Sequence, residues 1–205
     1  MKQTELYQML AFLLRYPNEE FRQILLGLTA EIQEVGDTRI RQKLFQFIEL
    51  VEQTPLDDWI NHYVSQFDFD RKTNLYVTYF KNGEQKERGL ELLKLKKFYQ
   101  AAGFDIVETE LPDYIPLMLE FSAQVSADIR QELWKMHEQA IWEIRETLLS
   151  IKSFYGLLFD VLIQLFEQDG LEHHLTAEKQ TPIPNLEDQA ILAKMRDQLI
   201  KNQLG

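Results

Sequence analysis

Apolar residues recur three and four positions apart along most of this chain, and little interrupts them: there are eight Gly and six Pro in 205 residues. That spacing lines up side chains on one face of an α-helix, whereas a strand would need strict alternation. Ile40, Leu44, Phe47, Ile48 and Val51 form such a stripe. A chain patterned this way must bury successive helical faces against one another, so the expected class is all-α, a single-domain helical bundle. Thirteen Phe, eight Tyr and three Trp supply enough apolar volume for a core without covalent staples.

Capping and breaking residues set the expected order of helices. Thr4 to Leu14 gives the first, ended at Tyr16-Pro17-Asn18, because Pro17 disfavours helical geometry at Tyr16 and Asn18 can cap the next helix. The second runs to about Val35, and Gly36-Asp37 starts the third. Thr54 as cap and Pro55 in the first turn open Leu56 to Gln66. Leu75 to Tyr79 is strand-like in composition, and Asn82-Gly83 could close a hairpin, although the helical surroundings favour a helix. Leu92, Leu95, Tyr99 and Ala102 line a helix from Glu84 to Ala102, stopped by Gly103. Pro116 opens Leu117 to Val125. Asp128 with Gln131 resembles a capping box for one long helix to about Leu149, with Leu133, His137, Ile141, Ile144 and Leu148 on one face. The last helix starts near Ser153 and ends at Asp169-Gly170. On this pattern residues 1–168 make the helical domain. Residues 169–186, with Thr181-Pro182-Ile183-Pro184, make an irregular linker, and 187–205 a C-terminal amphipathic helix or mobile tail.

Several kinds of chemistry are unsupported. The chain has no cysteine, which removes disulfides, thiolate catalysis, Cys-ligated zinc and cysteine-bound iron–sulfur clusters together. No glycine-rich phosphate loop, dinucleotide fingerprint or nucleophile elbow occurs. His62, His137, His173 and His174 are the histidines, and none completes a Glu-x-x-His or H-E-x-x-H pattern. Asp113 and Glu120 would share a helix face only if Pro116 did not intervene. No catalytic residue, metal or cofactor is therefore expected. The net charge of −11 repels phosphate backbones and anionic lipid and suits a basic peptide, so neither nucleic acid nor direct membrane insertion is expected. Met1 to Glu5 lacks a signal-peptide pattern, and no apolar run approaches about 18 residues, which points to the cytoplasm.

The segment Glu110-Leu111-Pro112-Asp113-Tyr114-Ile115-Pro116-Leu117-Met118-Leu119-Glu120-Phe121 stands out. Its two prolines fix the entry to a helix, and Asp113 is placed to accept from the free amides there. By spacing alone this is an elaborate cap.

Its company makes it more specific. With Leu14-Arg15-Tyr16-Pro17, Tyr63-Val64-Ser65-Gln66-Phe67-Asp68, Asn74-Leu75-Tyr76-Val77-Thr78-Tyr79, Gly83-Glu84 and Glu87-Arg88-Gly89 in that order, the sequence closely resembles the NarJ family. These are nitrate reductase molybdenum-cofactor assembly chaperones, relatives of the TorD and DmsD chaperones. The resemblance runs from about Leu6 to Phe166. Ser153-Phe154-Tyr155 departs from the family's Ser-Pro-Tyr. The resemblance implies a TorD-like bundle that binds the apo catalytic (alpha) subunit of respiratory nitrate reductase through its basic N-terminal peptide. The binding permits molybdenum-cofactor insertion before membrane attachment. It marks Glu110, Pro112, Asp113, Tyr114, Glu120 and Phe121 as binding residues, and Tyr76, Tyr79 and Arg88 as further candidates. The wider group has an Asp-His pair where this chain has Asp113-Tyr114, so no imidazole role carries over. A chaperone for a dimethyl sulfoxide or selenate reductase, an enzyme acting on cofactor or nucleotide, and a generic helical adaptor remain as alternatives.

Overall fold

The computed structural model describes residues 1–69, 72–81, 85–105 and 110–171. Among them are eleven helices: α1 (Gln3–Leu13), α2 (Glu19–Gly27), α3 (Thr29–Gln33), α4 (Thr38–Gln53), α5 (Leu56–Phe67), α6 (Val77–Lys81), α7 (Gln85–Ala101), α8 (Ile115–Ser122), α9 (Ala127–Lys135), α10 (Glu138–Ser150) and α11 (Gly156–Gln168). The described residues belong to the first compact unit of the chain. Asp169 and Leu171, which the sequence places beyond the helical domain, are packed in the first unit. Residues 172–186 of the expected linker, and the expected helix at 187–205, lie outside the described residues.

The all-α expectation holds, and the core follows the apolar stripes. All five residues of the Ile40 to Val51 stripe are buried on α4, whose start is capped by Asp37 accepting from the amides of Arg39 (2.8 Å) and Ile40 (3.4 Å). Asn18 caps α2 in the same way through the Phe21 amide at 2.8 Å. The centre of the unit is α11, buried along Leu158, Phe159, Val161, Leu162, Leu165 and Phe166, with α1, α4 and α10 packed around it and α8 against α1. Gly156 lets α11 begin this deep: a Cβ there would lie 2.9 Å from Leu149 Cδ2. No helix among the described residues is long and apolar enough to cross a membrane.

Four expectations are corrected. The second helix is two, α2 and α3, broken at Leu28, whose ψ of 1° leaves helical geometry after Gly27. The break costs little there, since glycine adds no helix propensity and the Thr29 hydroxyl donates to the Leu26 carbonyl at 3.1 Å. The long helix to Leu149 is also two, α9 and α10, separated at Met136-His137, where His137 has φ −126°. Its apolar face survives the break, because Leu133, His137, Ile141, Ile144 and Leu148 are all buried. Asp128 lies in the first turn of α9, but Ser126 holds the cap position without a side-chain bond. Thr54 does not cap α5. Its hydroxyl donates back to the Leu50 carbonyl at 2.6 Å, closing α4, while Pro55 takes the cap position.

At the heart of the aromatic packing, Trp59 Nε1 donates to the Tyr155 hydroxyl at 2.8 Å. His62 lies against the Phe154 and Tyr155 rings, at 4.6 and 5.7 Å between centroids, with Nε2 2.9 Å from Ser153 Oγ. Burial lowers the His62 pKa below its ordinary value of 6.5. The folded state therefore favours the neutral ring, and the unfolded chain takes up the proton first as pH falls. The His62 contribution should be fully present above about pH 6.5 and lost as pH drops through the lowered pKa. Urea midpoints measured from pH 7 to pH 5 should fall less steeply for His62→Gln than for wild type. Parallel slopes would remove His62 as the source.

Candidate functional site

The family-like segments converge where the stretch after α5 meets the entry to α8. Asn74 pins that stretch: its Nδ2 donates to the Phe67 carbonyl at 3.1 Å, and its Oδ1 accepts from the Tyr76 amide at 2.9 Å. Thr73 Oγ1 donates to the Gln66 carbonyl beside it. The backbone then runs antiparallel to residues 113–115. Val77 N donates to Asp113 O at 3.0 Å, and Ile115 N donates to Leu75 O at 2.8 Å. Tyr76 and Tyr114 form an isolated bridge at this point. The strand-like composition of 75–79 thus yields one bridged residue, after which α6 begins. The Asn82-Gly83 turn lies outside the described residues.

The bridge fixes two aromatic rings side by side. Tyr76 and Tyr114 have centroids 5.1 Å apart and planes 34° apart. The Tyr76 hydroxyl donates to Glu110 Oε1 at 2.8 Å, and the Leu111 amide donates to the same oxygen at 3.0 Å. Tyr63, on α5, donates to the Leu14 carbonyl at 3.0 Å and meets the Tyr16 ring edge-on at 5.4 Å. Burial, then Glu110, pushes the Tyr76 pKa up, and burial does the same to Tyr114. Both phenols therefore stay protonated near neutral pH, where they can donate and stack but cannot serve as bases.

Asp113 has no exposed surface. Its Oδ2 accepts from the Thr78 amide at 3.2 Å and the Thr78 hydroxyl at 2.5 Å, and lies 3.8 Å from Arg88 Nη2. Arg88 Nε donates to Thr78 Oγ1 at 3.3 Å, and its guanidinium lies 4.9 Å above the Tyr79 ring. Asp113 thus bonds the start of α6 and not that of α8, the helix it precedes in sequence, because the bridge turns it towards 77–78. Its other oxygen, Oδ1, accepts no hydrogen bond among the described residues.

Not all the expected residues reach the surface. Phe121 is core, with its ring 4.5 Å from Tyr99 and 5.2 Å from Phe104. The Pro112 carbonyl accepts from the Tyr99 hydroxyl at 2.8 Å. Asp113 and Phe121 can therefore support a binding surface but not touch a partner in this conformation. Glu110, Tyr76, Tyr114 and Glu120 are half-buried, and Tyr79 is 41% exposed. Glu120 accepts from Arg15 Nη2 at 2.9 Å. Arg15, Tyr16, Tyr63 and Thr78 also enter this arrangement, and the resemblance does not mark them as binding residues. The signal that could have found them is their presence in the family-like segments. Among the described residues no cluster of His, Cys, Asp or Glu could hold a metal. What the arrangement offers is aromatic faces beside carboxylates, which suits guanidinium groups and apolar side chains.

A family model described as nitrate reductase delta subunit matches residues 33–159. The chain is 43% identical over 165 residues to the Bacillus subtilis nitrate reductase molybdenum cofactor assembly chaperone NarJ, covering 80% of this chain and 90% of that one. It is 30% identical over 131 residues to the Escherichia coli K12 chaperone NarJ, covering 64% of this chain and 55% of the relative. The crystal structure of a chain described as a redox enzyme maturation protein from Archaeoglobus fulgidus superposes with a TM-score of 0.57 at 20% identity. That match covers 82% of this chain and 94% of the other, and shows a shared fold.

Proposed function

This chain belongs to the nitrate reductase delta subunit family, that of the NarJ-type redox enzyme maturation chaperones, and we propose that it binds the apo catalytic subunit of a respiratory nitrate reductase through that subunit's basic N-terminal peptide. Bound there, it keeps the subunit open for molybdenum-cofactor insertion until membrane attachment, and it does so in the cytoplasm. The work is holding and releasing, with no bond made or broken by the chaperone.

The observation that carries this reading is the backbone bridge that sets Tyr76 beside Tyr114 with Glu110 at their rim. A peptide arginine laid over such rings gains cation–π attraction while a carboxylate accepts its N–H groups. Apolar neighbours of that arginine can cover the ring faces, and the exposed Tyr16 and Leu111 extend the surface. The −11 charge favours encounter with a basic segment.

Removing one ring should therefore cost binding. Tyr114→Ala is expected to raise the Kd for a synthetic peptide copying the catalytic subunit's N-terminus by about tenfold, the scale of a central aromatic contact. Tyr76→Phe, which keeps the ring and loses the Glu110 bond, should cost less. Titration calorimetry on proteins with matched unfolding midpoints checks both. Unchanged affinity for Tyr114→Ala would remove this surface as the peptide site.

A further inference from the structure

At the rim of this surface the chain carries an arginine of its own. Arg15 comes just after α1, its Nη2 lies 2.9 Å from Glu120 Oε1, and its guanidinium sits 5.7 Å from the Phe12 ring. The next residue, Tyr16, packs on the Tyr63 ring, whose hydroxyl donates to the carbonyl of Leu14, and Glu120 lies on α8, the helix whose cap position Tyr114 holds. Arg15-Tyr16 is thus an Arg–aromatic pair presented to the aromatic and acidic surface from within. We propose that Arg15 is an internal stand-in for a partner arginine, occupying the Glu120 carboxylate until a peptide guanidinium displaces it. The inference rests on the peptide-binding reading above and names a determinant of its affinity.

The exposure of the pair makes exchange feasible. Arg15 and Glu120 side chains are 53% and 38% exposed, so solvent screens their attraction and little holds them together. A peptide arginine can take over the same carboxylate, gaining a charge-assisted bond without leaving Glu120 unpaired. Arg15 returns to water, where a guanidinium is well solvated. The exchange lowers net affinity relative to a free Glu120 and favours ligands whose arginine also has apolar neighbours for the tyrosine faces. A lone cation would merely trade places with Arg15.

The test is a double-mutant cycle on the full chain, using the catalytic subunit's N-terminal peptide and a copy with its arginines replaced by glutamine. Arg15→Gln should bind the native peptide roughly two- to fivefold more tightly than wild type, Glu120→Gln should bind it more weakly, and the double variant should match Glu120→Gln. The glutamine peptide should show no gain with Arg15→Gln. In wild type, the Arg15 Nε–Hε resonance should move towards its free-solvent position on peptide binding. Unchanged or weaker binding by Arg15→Gln overturns the inference while leaving the peptide site standing. A gain that persists in the Glu120→Gln background also overturns it, because removing a positive charge anywhere would then suffice. Failure of both wild type and Arg15→Gln to bind the peptide overturns the peptide reading and the inference together.

Discussion

Arg130→Ala is expected to destabilise the helical unit by about 3–5 kcal/mol, the cost of leaving a buried charge without its partner. Arg130, on α9, is almost wholly buried, and so is the Asp169 carboxylate just past the end of α11. The two are joined twice, by Nε to Oδ2 at 3.0 Å and Nη2 to Oδ1 at 2.8 Å. Two further donors are used: Nη1 bonds the Val125 carbonyl at 2.8 Å and Nη2 the Gln3 amide oxygen at 3.2 Å. Tyr7 on α1 lies under the guanidinium at 5.3 Å and donates its hydroxyl to Asp169 Oδ2 at 2.7 Å. One side chain therefore ties together the first helix, the ninth and the end of the eleventh. Its loss leaves the Asp169 carboxylate with the Tyr7 hydroxyl but without its cation, and takes the donor from the Val125 carbonyl and the Gln3 amide oxygen. Replacing Arg130 with Met and Asp169 with Leu in the same chain removes both charges and should recover most of the loss, since desolvation offsets much of a buried pair's attraction. Urea unfolding followed by circular dichroism decides it. A cost below about 1 kcal/mol for the single variant would mean that Asp169 finds water or another partner.

Nothing in the sequence announces that clip. Arg130 and Asp169 stand 39 positions apart, and each looks locally like ordinary surface charge or a helix terminus. Their pairing is a product of tertiary packing. The stripes that drive the packing are a local property of the chain. Ile40, Leu44, Phe47, Ile48 and Val51 are readable as one face because burial and the helical period act on neighbouring residues. The same distinction separates the helix ends that are readable from those that are not. Asp37, Asn18 and Gly103 act within a few residues of themselves, through a cap bond or a positive φ of 87° at Gly103. The break at Met136-His137 has no Gly or Pro to mark it, and both flanking pieces keep their apolar face. The candidate site divides in the same way. The resemblance locates the Glu110 to Phe121 block, but only the backbone bridge shows that Tyr114 meets Tyr76 while Phe121 turns into the core. A single period cannot distinguish an aromatic that forms the core from one that lines its edge, because both occupy helical spacing.

Asp113→Ala should lower stability by about 2–3 kcal/mol and weaken peptide binding in the same variant, because one buried carboxylate holds α6 against the 110–114 segment. A helix cap alone would cost about 1 kcal/mol. Here the loss is larger, since the Thr78 amide and hydroxyl, both buried, lose their acceptor together, and Arg88 loses the carboxylate 3.8 Å away. Asp113→Asn keeps the shape and one acceptor oxygen for Thr78, so it should cost less in stability. Its amide would add donors at the position of Oδ1, which accepts no hydrogen bond among the described residues. Because Asp113 is wholly enclosed, any effect on the peptide must travel through the Val77–Asp113 and Leu75–Ile115 backbone bonds that set the Tyr76 and Tyr114 rings in register. Binding should therefore fall in proportion as the register loosens, with alanine affected more than asparagine. Calorimetric titration of the folded fraction beside urea midpoints separates the possibilities. Weaker binding by a variant of unchanged stability would return Asp113 to the role of a direct contact, reached after an opening of the α6 segment. Lower stability with wild-type affinity would mean that the tyrosine pair keeps its register without the Asp113 carboxylate.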